Sequence, residues 1–68
     1  MANEIPKVGS VWIDGSNPHL GRAVFEVGKK IAWHRVSHGA HGGMRLTSTP
    51  AEWAAWVKRT GAHEVRDA

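Results

Sequence analysis

Residues 22–36 of this 68-residue chain read RAVFEVGKKIAWHRV, two β-prone runs joined by one glycine and two lysines. Valine, isoleucine, phenylalanine and tryptophan favour strands, and so short a connection between such runs is typical of an antiparallel hairpin. Gly28 accepts the positive φ that a tight turn demands. The stretch therefore predicts two adjacent strands, Arg22 to Val27 and Lys30 to Val36.

Two registers are compatible with this hairpin. A two-residue loop would place Phe25 opposite Ala32, whereas a three-residue loop would place it opposite Trp33. The three-residue loop gathers on one face Ala23, Phe25, Val27, Ile31 and Trp33. We favour this register because burying each large apolar side chain contributes about 1.5–3 kcal/mol, more than the difference between turn types.

Shorter β-prone runs flank the hairpin. Val8 to Asp14 precedes it, and a cluster of turn residues ends that run. Gly43 to Ser48 follows it and offers Met44 and Leu46 to the core, and His63 to Arg66 forms a last brief run. Together with the hairpin, these runs predict four or five strands.

A helix is indicated between the last two runs. Thr49 and Glu52 have the spacing of a capping box, and Pro50 stands at the first helical position. We predict a helix from Pro50 to about Thr60, closed by Gly61. Its apolar stripe comprises Trp53, Trp56 and Val57. This stripe requires a surface on which to dock.

Length and composition limit the class of protein. Sixty-eight residues with 41% apolar and 22% charged content predict one small folded domain, residues 1–68. The absence of cysteine, of an apolar leader and of any run near about 18 apolar residues predicts a cytoplasmic protein with no membrane partner. The net charge of +3 favours anionic partners.

The order of elements predicts a mainly β (α+β) fold, a small antiparallel barrel of four or five strands with one C-terminal helix packed on it. This order resembles that of SH3-like barrels, in which a single helical turn separates the fourth and fifth strands, whereas the insert here spans about three turns. The residues VWID at 11–14, Pro18 and Gly21-Arg22 are also similar to the opening of small uncharacterised proteins of actinobacteria and their phages. That resemblance covers residues 11–22 and implies a bacterial host cell.

Trp12 is the candidate aromatic contact for a partner. Strand alternation places it on the side opposite to Val11 and Ile13. If exposed, its indole would anchor a protein partner or stack on a base. Alternatively, Trp53 and Trp56 cover it, and the three indoles form part of the core.

Histidines cluster at the glycine-rich connection after the hairpin. Neutral imidazoles such as those of His34, His38 and His41 can ligate zinc or nickel. No cysteine accompanies them and no fourth ligand is evident, so we predict no metal and no cofactor. A solvated loop that protonates below neutral pH is the alternative.

Two surfaces of the chain suggest binding. The leading hypothesis is a non-enzymatic module, encoded by a phage or bacterium, that acts through protein–protein interaction at Trp12, Arg22, Arg45, His38 and His41. The alternative is a small basic nucleic-acid-binding domain that uses Lys29, Lys30, Arg35, Lys58 and Arg59. A homo-oligomer that buries surplus tryptophan is a third hypothesis. No catalytic residues are predicted, because no nucleophile motif, phosphate loop or carboxylate pair is recognisable.

Overall fold

A computed structural model of the chain describes residues 5–38 and 40–66, with the backbone alone at 40–43 and 66. In this part of the chain the elements are β1 (Val11–Ile13), β2 (Leu20–Val27), β3 (Ile31–Ser37), β4 (Ala40–Ser48), α1 (Pro50–Thr60) and β5 (His63–Arg66). The strands form one sheet in the order β4-β3-β2-β1-β5, and every neighbouring pair is antiparallel. The predicted mainly β fold with a C-terminal helix is confirmed.

The sheet is open rather than closed into a barrel. β4 and β5 lie at its opposite ends, and they do not pair in the described residues. The predicted barrel closure is therefore wrong. The apolar face is covered instead by α1, which lies between β4 and β5 in the chain and is long enough to contribute two buried tryptophans, Trp53 and Trp56, to the core.

The loop of the β2–β3 hairpin has the favoured length. Val27 pairs with Ile31, which leaves three residues in the connection. The Gly28 amide donates a hydrogen bond of 3.0 Å to the carbonyl of Lys30. The positive φ expected at Gly28 is not found there. This loop therefore closes without a left-handed glycine.

A bulge in β2 changes which side chains enter the core. After Val24 the register shifts by one residue, so that Val24, and not Phe25, lies opposite Trp33. Val24 is 3% exposed, whereas Phe25 is 37% exposed and stacks on His34, with ring centroids 4.4 Å apart. Ala23 pairs with His34 and shares this outer face. The prediction that Ala23 and Phe25 face the core is wrong, because one inserted residue reverses the alternation.

A second irregularity lies where β3 pairs with β4. The register there skips Gly43 and Met44. Met44 is 74% exposed, while Leu46 packs against the core. The prediction that Met44 faces inward is therefore wrong, and the one for Leu46 is confirmed.

Local signals set the ends of α1. The Glu52 amide donates to Thr49 Oγ1 at 3.1 Å, and the Thr49 amide donates to Glu52 Oε1 at 2.9 Å. Gly61 adopts the left-handed conformation with φ 71°, and its amide donates to the Val57 carbonyl. The predicted helix and both of its caps are confirmed. In the described residues no helix has the length and hydropathy that a bilayer crossing requires.

Tryptophans of the sheet and of α1 form the centre of the core. Trp53 is fully buried, and its ring meets that of Trp12 edge to face with centroids 5.8 Å apart. The indole Nε1 of Trp12 donates to Ser10 Oγ at 3.1 Å. The helix stripe therefore docks on the sheet and covers Trp12, as the alternative interpretation of that residue required.

Candidate functional site

A cleft of about 280 Å³ opens at the end of the sheet where β1 ends and β2 begins. It is lined by Asp14, Leu20, Gly21, Arg22, Trp33, Arg35 and Trp56. We call it the Arg22 cleft. It combines two cationic side chains, one carboxylate and two indoles, and this composition suits recognition of a small charged group.

The Arg22 guanidinium lies between two indoles. Its central carbon is 4.0 Å from the ring centroid of Trp33 and 3.9 Å from that of Trp56. The ring of Trp53 is farther away, at 5.3 Å. Such distances are typical of cation–π contacts, which become stronger when the cation is partly removed from water. The side chain is therefore held in one orientation by both the sheet and α1.

The fold places Arg22 there because of strand alternation. Arg22 is two residues before Val24, so the two side chains share the face that α1 covers. Across the sheet, Arg22 pairs with Trp12 on β1 and with Arg35 on β3. Two arginines thus stand side by side at the mouth of the cleft.

Burial perturbs the charge of Arg22. Desolvation, with repulsion from Arg59 as the second cause, lowers the pKa of Arg22 to about 10, and attraction to Asp14 partly opposes this. The guanidinium still carries its full charge at neutral pH. Its Nη1 atom is shielded from solvent and has no hydrogen-bond partner among the described residues. A cationic group in this state gains from an added anionic partner.

Asp14 supplies the negative charge of the cleft. Its Oδ1 accepts hydrogen bonds from the Ser16 amide at 2.7 Å and from the Ser16 hydroxyl at 2.6 Å. These bonds hold the pKa of Asp14 below its ordinary value. Asp14 therefore remains ionised at neutral pH, and its carboxylate is a poor proton acceptor.

The residues expected to contact a protein partner do not lie together. Arg22 lines the cleft, whereas Trp12 is only 7% exposed, so its indole does not offer the surface anchor that this hypothesis required. Arg45 forms an exposed ion pair of 3.1 Å with Glu26 on the outer face of the sheet. Among the residues of this set whose side chains are described, Arg22 alone lines the cleft.

The histidines have aromatic neighbours where their side chains are described. His38 stacks on His19 with ring centroids 4.7 Å apart, and His34 stacks on Phe25. The side chain of His41 lies outside the described residues. The described part of the chain contains no group of three or more histidine, cysteine, aspartate or glutamate residues that could hold a metal ion.

The residues expected to bind nucleic acid are exposed, but they lie at two ends of the molecule. Lys29 and Lys30 occupy the hairpin tip, close to the start of α1, because Ser48 pairs with Ile31. Lys58 and Arg59 are in the last turn of α1. The rise of α1 from Pro50 to Lys58 and Arg59 separates the two groups by about 12–14 Å. They therefore form two separate groups, and the fifth residue, Arg35, lines the cleft.

No protein-family model, curated protein or solved structure matches the chain. The function must therefore be inferred from the geometry of the Arg22 cleft.

Sequence reasoning identified both arginines of the cleft but assigned them to different hypotheses. It missed Asp14, Trp33 and Trp56 as their neighbours. Strand alternation alone offered one usable signal, since Arg22 lies two residues from an apolar residue that enters the core. The contact with Trp33 depends on the bulge after Val24, which has no evident signature in the sequence.

Proposed function

We propose that this protein is a non-enzymatic binding module that acts through protein–protein interaction, with the Arg22 cleft as the contact that receives an acidic group of the partner. The observation that carries this proposal is the Arg22 guanidinium, a half-buried cation that contacts two indoles and lines the cleft. Arginine and tryptophan are the residue types most enriched at energetically dominant interface positions.

The lining of the cleft supports binding rather than catalysis. Among its seven residues the charged groups are Arg22, Arg35 and Asp14. Arg22 remains protonated at neutral pH, and the lowered pKa of Asp14 makes its carboxylate a poor proton acceptor. These groups attract and orient a ligand, but none of them is an activated nucleophile.

We also propose that the sheet is an SH3-like arrangement opened by the longer helix, in a phage- or bacterium-encoded protein of the cytoplasm. The antiparallel meander of β2, β3 and β4 and the return of β5 beside β1 support this fold. The absence of cysteine supports the cytoplasmic setting.

The proposal is tested by affinity capture from a bacterial lysate with three forms of the protein. Arg22→Met removes the charge and keeps a long side chain between the two indoles, and its unfolding is measured in parallel. Lys29→Met is the control, because it removes an exposed cation at the hairpin tip, which does not line the cleft. We expect the wild type and Lys29→Met to capture the same protein and Arg22→Met to lose it. Equal capture by all three forms, or no captured protein, would overturn the proposal.

Nucleic-acid binding is a distinct outcome of the same experiment. Captured material that nuclease digests, and that dissociates from the protein as salt rises from about 50 to 200 mM, would favour the alternative function, nucleic-acid binding. In that case Lys29→Gln and Lys58→Gln should each weaken retention, whereas the protein-partner proposal expects neither to matter.

A further inference from the structure

We infer that the Arg22 cleft receives a phosphate monoester carried by a side chain of the partner, and that Arg59 of α1 completes the site as its third arginine. This inference rests on the proposed function and names the charge class of the ligand. The placement of Arg59 and the net charge around the cleft support it.

Arg59 stands beside the cleft on the helix that covers the sheet. It follows Trp56 by three residues, and side chains at this spacing are neighbours on the surface of a helix. Trp56 itself lines the cleft and contacts the Arg22 guanidinium. The exposed side chain of Arg59 therefore starts next to a wall of the cleft.

A second contact brings Arg59 close to Asp14. The turn after Asp14 lies against the end of α1. A Cβ added at Gly15 would overlap the carbonyl oxygen of Thr60, the residue that follows Arg59. Besides burial, repulsion from Arg59 lowers the pKa of Arg22, and besides the hydrogen bonds within its turn, attraction to Arg59 lowers the pKa of Asp14. The charge of Arg59 thus acts on both charged groups.

The charges around the cleft favour a doubly charged ligand. Arg22 and Arg35 pair across neighbouring strands, and Arg59 approaches from α1. With Asp14 as the one carboxylate of this set, three positive charges and one negative charge leave a net charge of +2. A phosphate monoester carries close to two negative charges at pH 8 and balances this net charge, whereas a carboxylate balances half of it.

Two further charged residues lie near this set but outside it. Glu64 on β5 is separated from Arg22 by Trp12, which pairs with both of them. Lys58 follows Trp56 by two residues and so lies on another side of α1. Neither is among the charges that shift the pKa of Arg22.

The positions of the other cations favour one terminal phosphate over a nucleic acid. Nucleic acids are bound through a series of cations that follows successive phosphates, each a diester with one negative charge. Lys29 and Lys30 lie at the opposite end of α1 from Arg59 and do not continue the site. A monoester instead places both of its charges at one point, and clusters of arginine are the usual means of recognising phosphorylated motifs.

Three small probes at pH 8 and constant ionic strength test the preference for two charges. Methyl phosphate is a dianionic monoester, dimethyl phosphate is a monoanionic diester like those of a nucleic-acid backbone, and propionate is a monoanionic carboxylate. Binding to the whole protein is followed by the NMR signals of the indole N–H groups of Trp33 and Trp56. We expect saturable shifts with methyl phosphate and about tenfold weaker binding of both monoanions. No saturable shift with methyl phosphate, or equally tight binding of either monoanion, would overturn the inference.

Two neighbouring substitutions on α1 test the role of Arg59. Arg59→Gln removes the third positive charge, so the preference of methyl phosphate over propionate should fall about threefold or more. Lys58→Gln is the matched control, since it removes an adjacent cation from another side of the helix and should leave the preference unchanged. Both side chains are exposed, so neither substitution should disturb folding. An equal effect of the two substitutions would refute the role of Arg59.

Phosphatase treatment separates this inference from the proposed function. The capture from lysate is repeated after a protein phosphatase has removed phosphate groups from the lysate proteins. We expect the partner to be captured from the untreated lysate only. If capture still depends on Arg22 but survives phosphatase treatment, the phosphate inference fails and the proposed function stands.

Discussion

Gly15 occupies a position that cannot accommodate one added methyl group. A Cβ atom there would overlap the carbonyl oxygen of Thr60 and would lie 2.6 Å from that of Gly61, both at the end of α1. Because these are backbone atoms, no side-chain rotation relieves the overlap, and the turn or the helix end must move. We therefore expect Gly15→Ala to lower the free energy of unfolding by about 1–3 kcal/mol, the usual range for overpacking.

Thermal unfolding followed by circular dichroism measures this effect. For a domain of this size each kcal/mol corresponds to about 4–8 °C in the melting temperature, so a fall of roughly 5–20 °C is expected. Gly28→Ala is the matched control, because no atom lies within 4 Å of its added Cβ and its φ is not positive. This control should be neutral or up to about 1 kcal/mol more stable. A wild-type melting temperature for Gly15→Ala would show that this turn does not lie against α1.

Five further substitutions at four positions test the core and the helix start by the same measurement. Val24→Ala should lower the free energy of unfolding by about 2 kcal/mol. Phe25→Ala should lower it less, although phenylalanine is larger, because Val24 is buried in the core and Phe25 is exposed. A larger loss for Phe25→Ala would contradict the bulge. Ser10→Ala leaves the buried Nε1 of Trp12 without its acceptor and should lower the free energy of unfolding by about 1–3 kcal/mol. An unchanged melting temperature would show that this hydrogen bond does not stabilise the fold. Thr49→Ala should cost about 1 kcal/mol through loss of the helix cap, whereas Thr49→Ser should retain most of that stability; equal losses in both would argue against capping.

The Arg22 cleft shows the limit of reasoning from single residues. The charge of Arg22 and its usefulness at an interface are properties of the residue type, so the sequence was sufficient to select it. The indoles that contact it come from β3, the next strand of the hairpin, and from α1, which is distant in the chain. Their approach depends on how the helix docks, and no local pattern encodes that position.

Local rules determined α1 and the approximate positions of the strands. Thr49, Glu52 and Gly61 act on backbone groups within four residues, so their hydrogen bonds could be predicted before the fold was known. Turn residues likewise marked the breaks between strands. These features follow from the chain's own geometry, independently of what packs against it.

Tertiary packing decided the register after Val24, the outward position of Phe25 and the open sheet. A bulge costs little locally, and its position is selected by the burial of side chains from several elements at once. Here Trp53 and Trp56 fill the apolar face of the sheet, and Val24 reaches them while Phe25 does not. This competition for one small core involves residues far apart in the chain, so strand alternation alone could not resolve it.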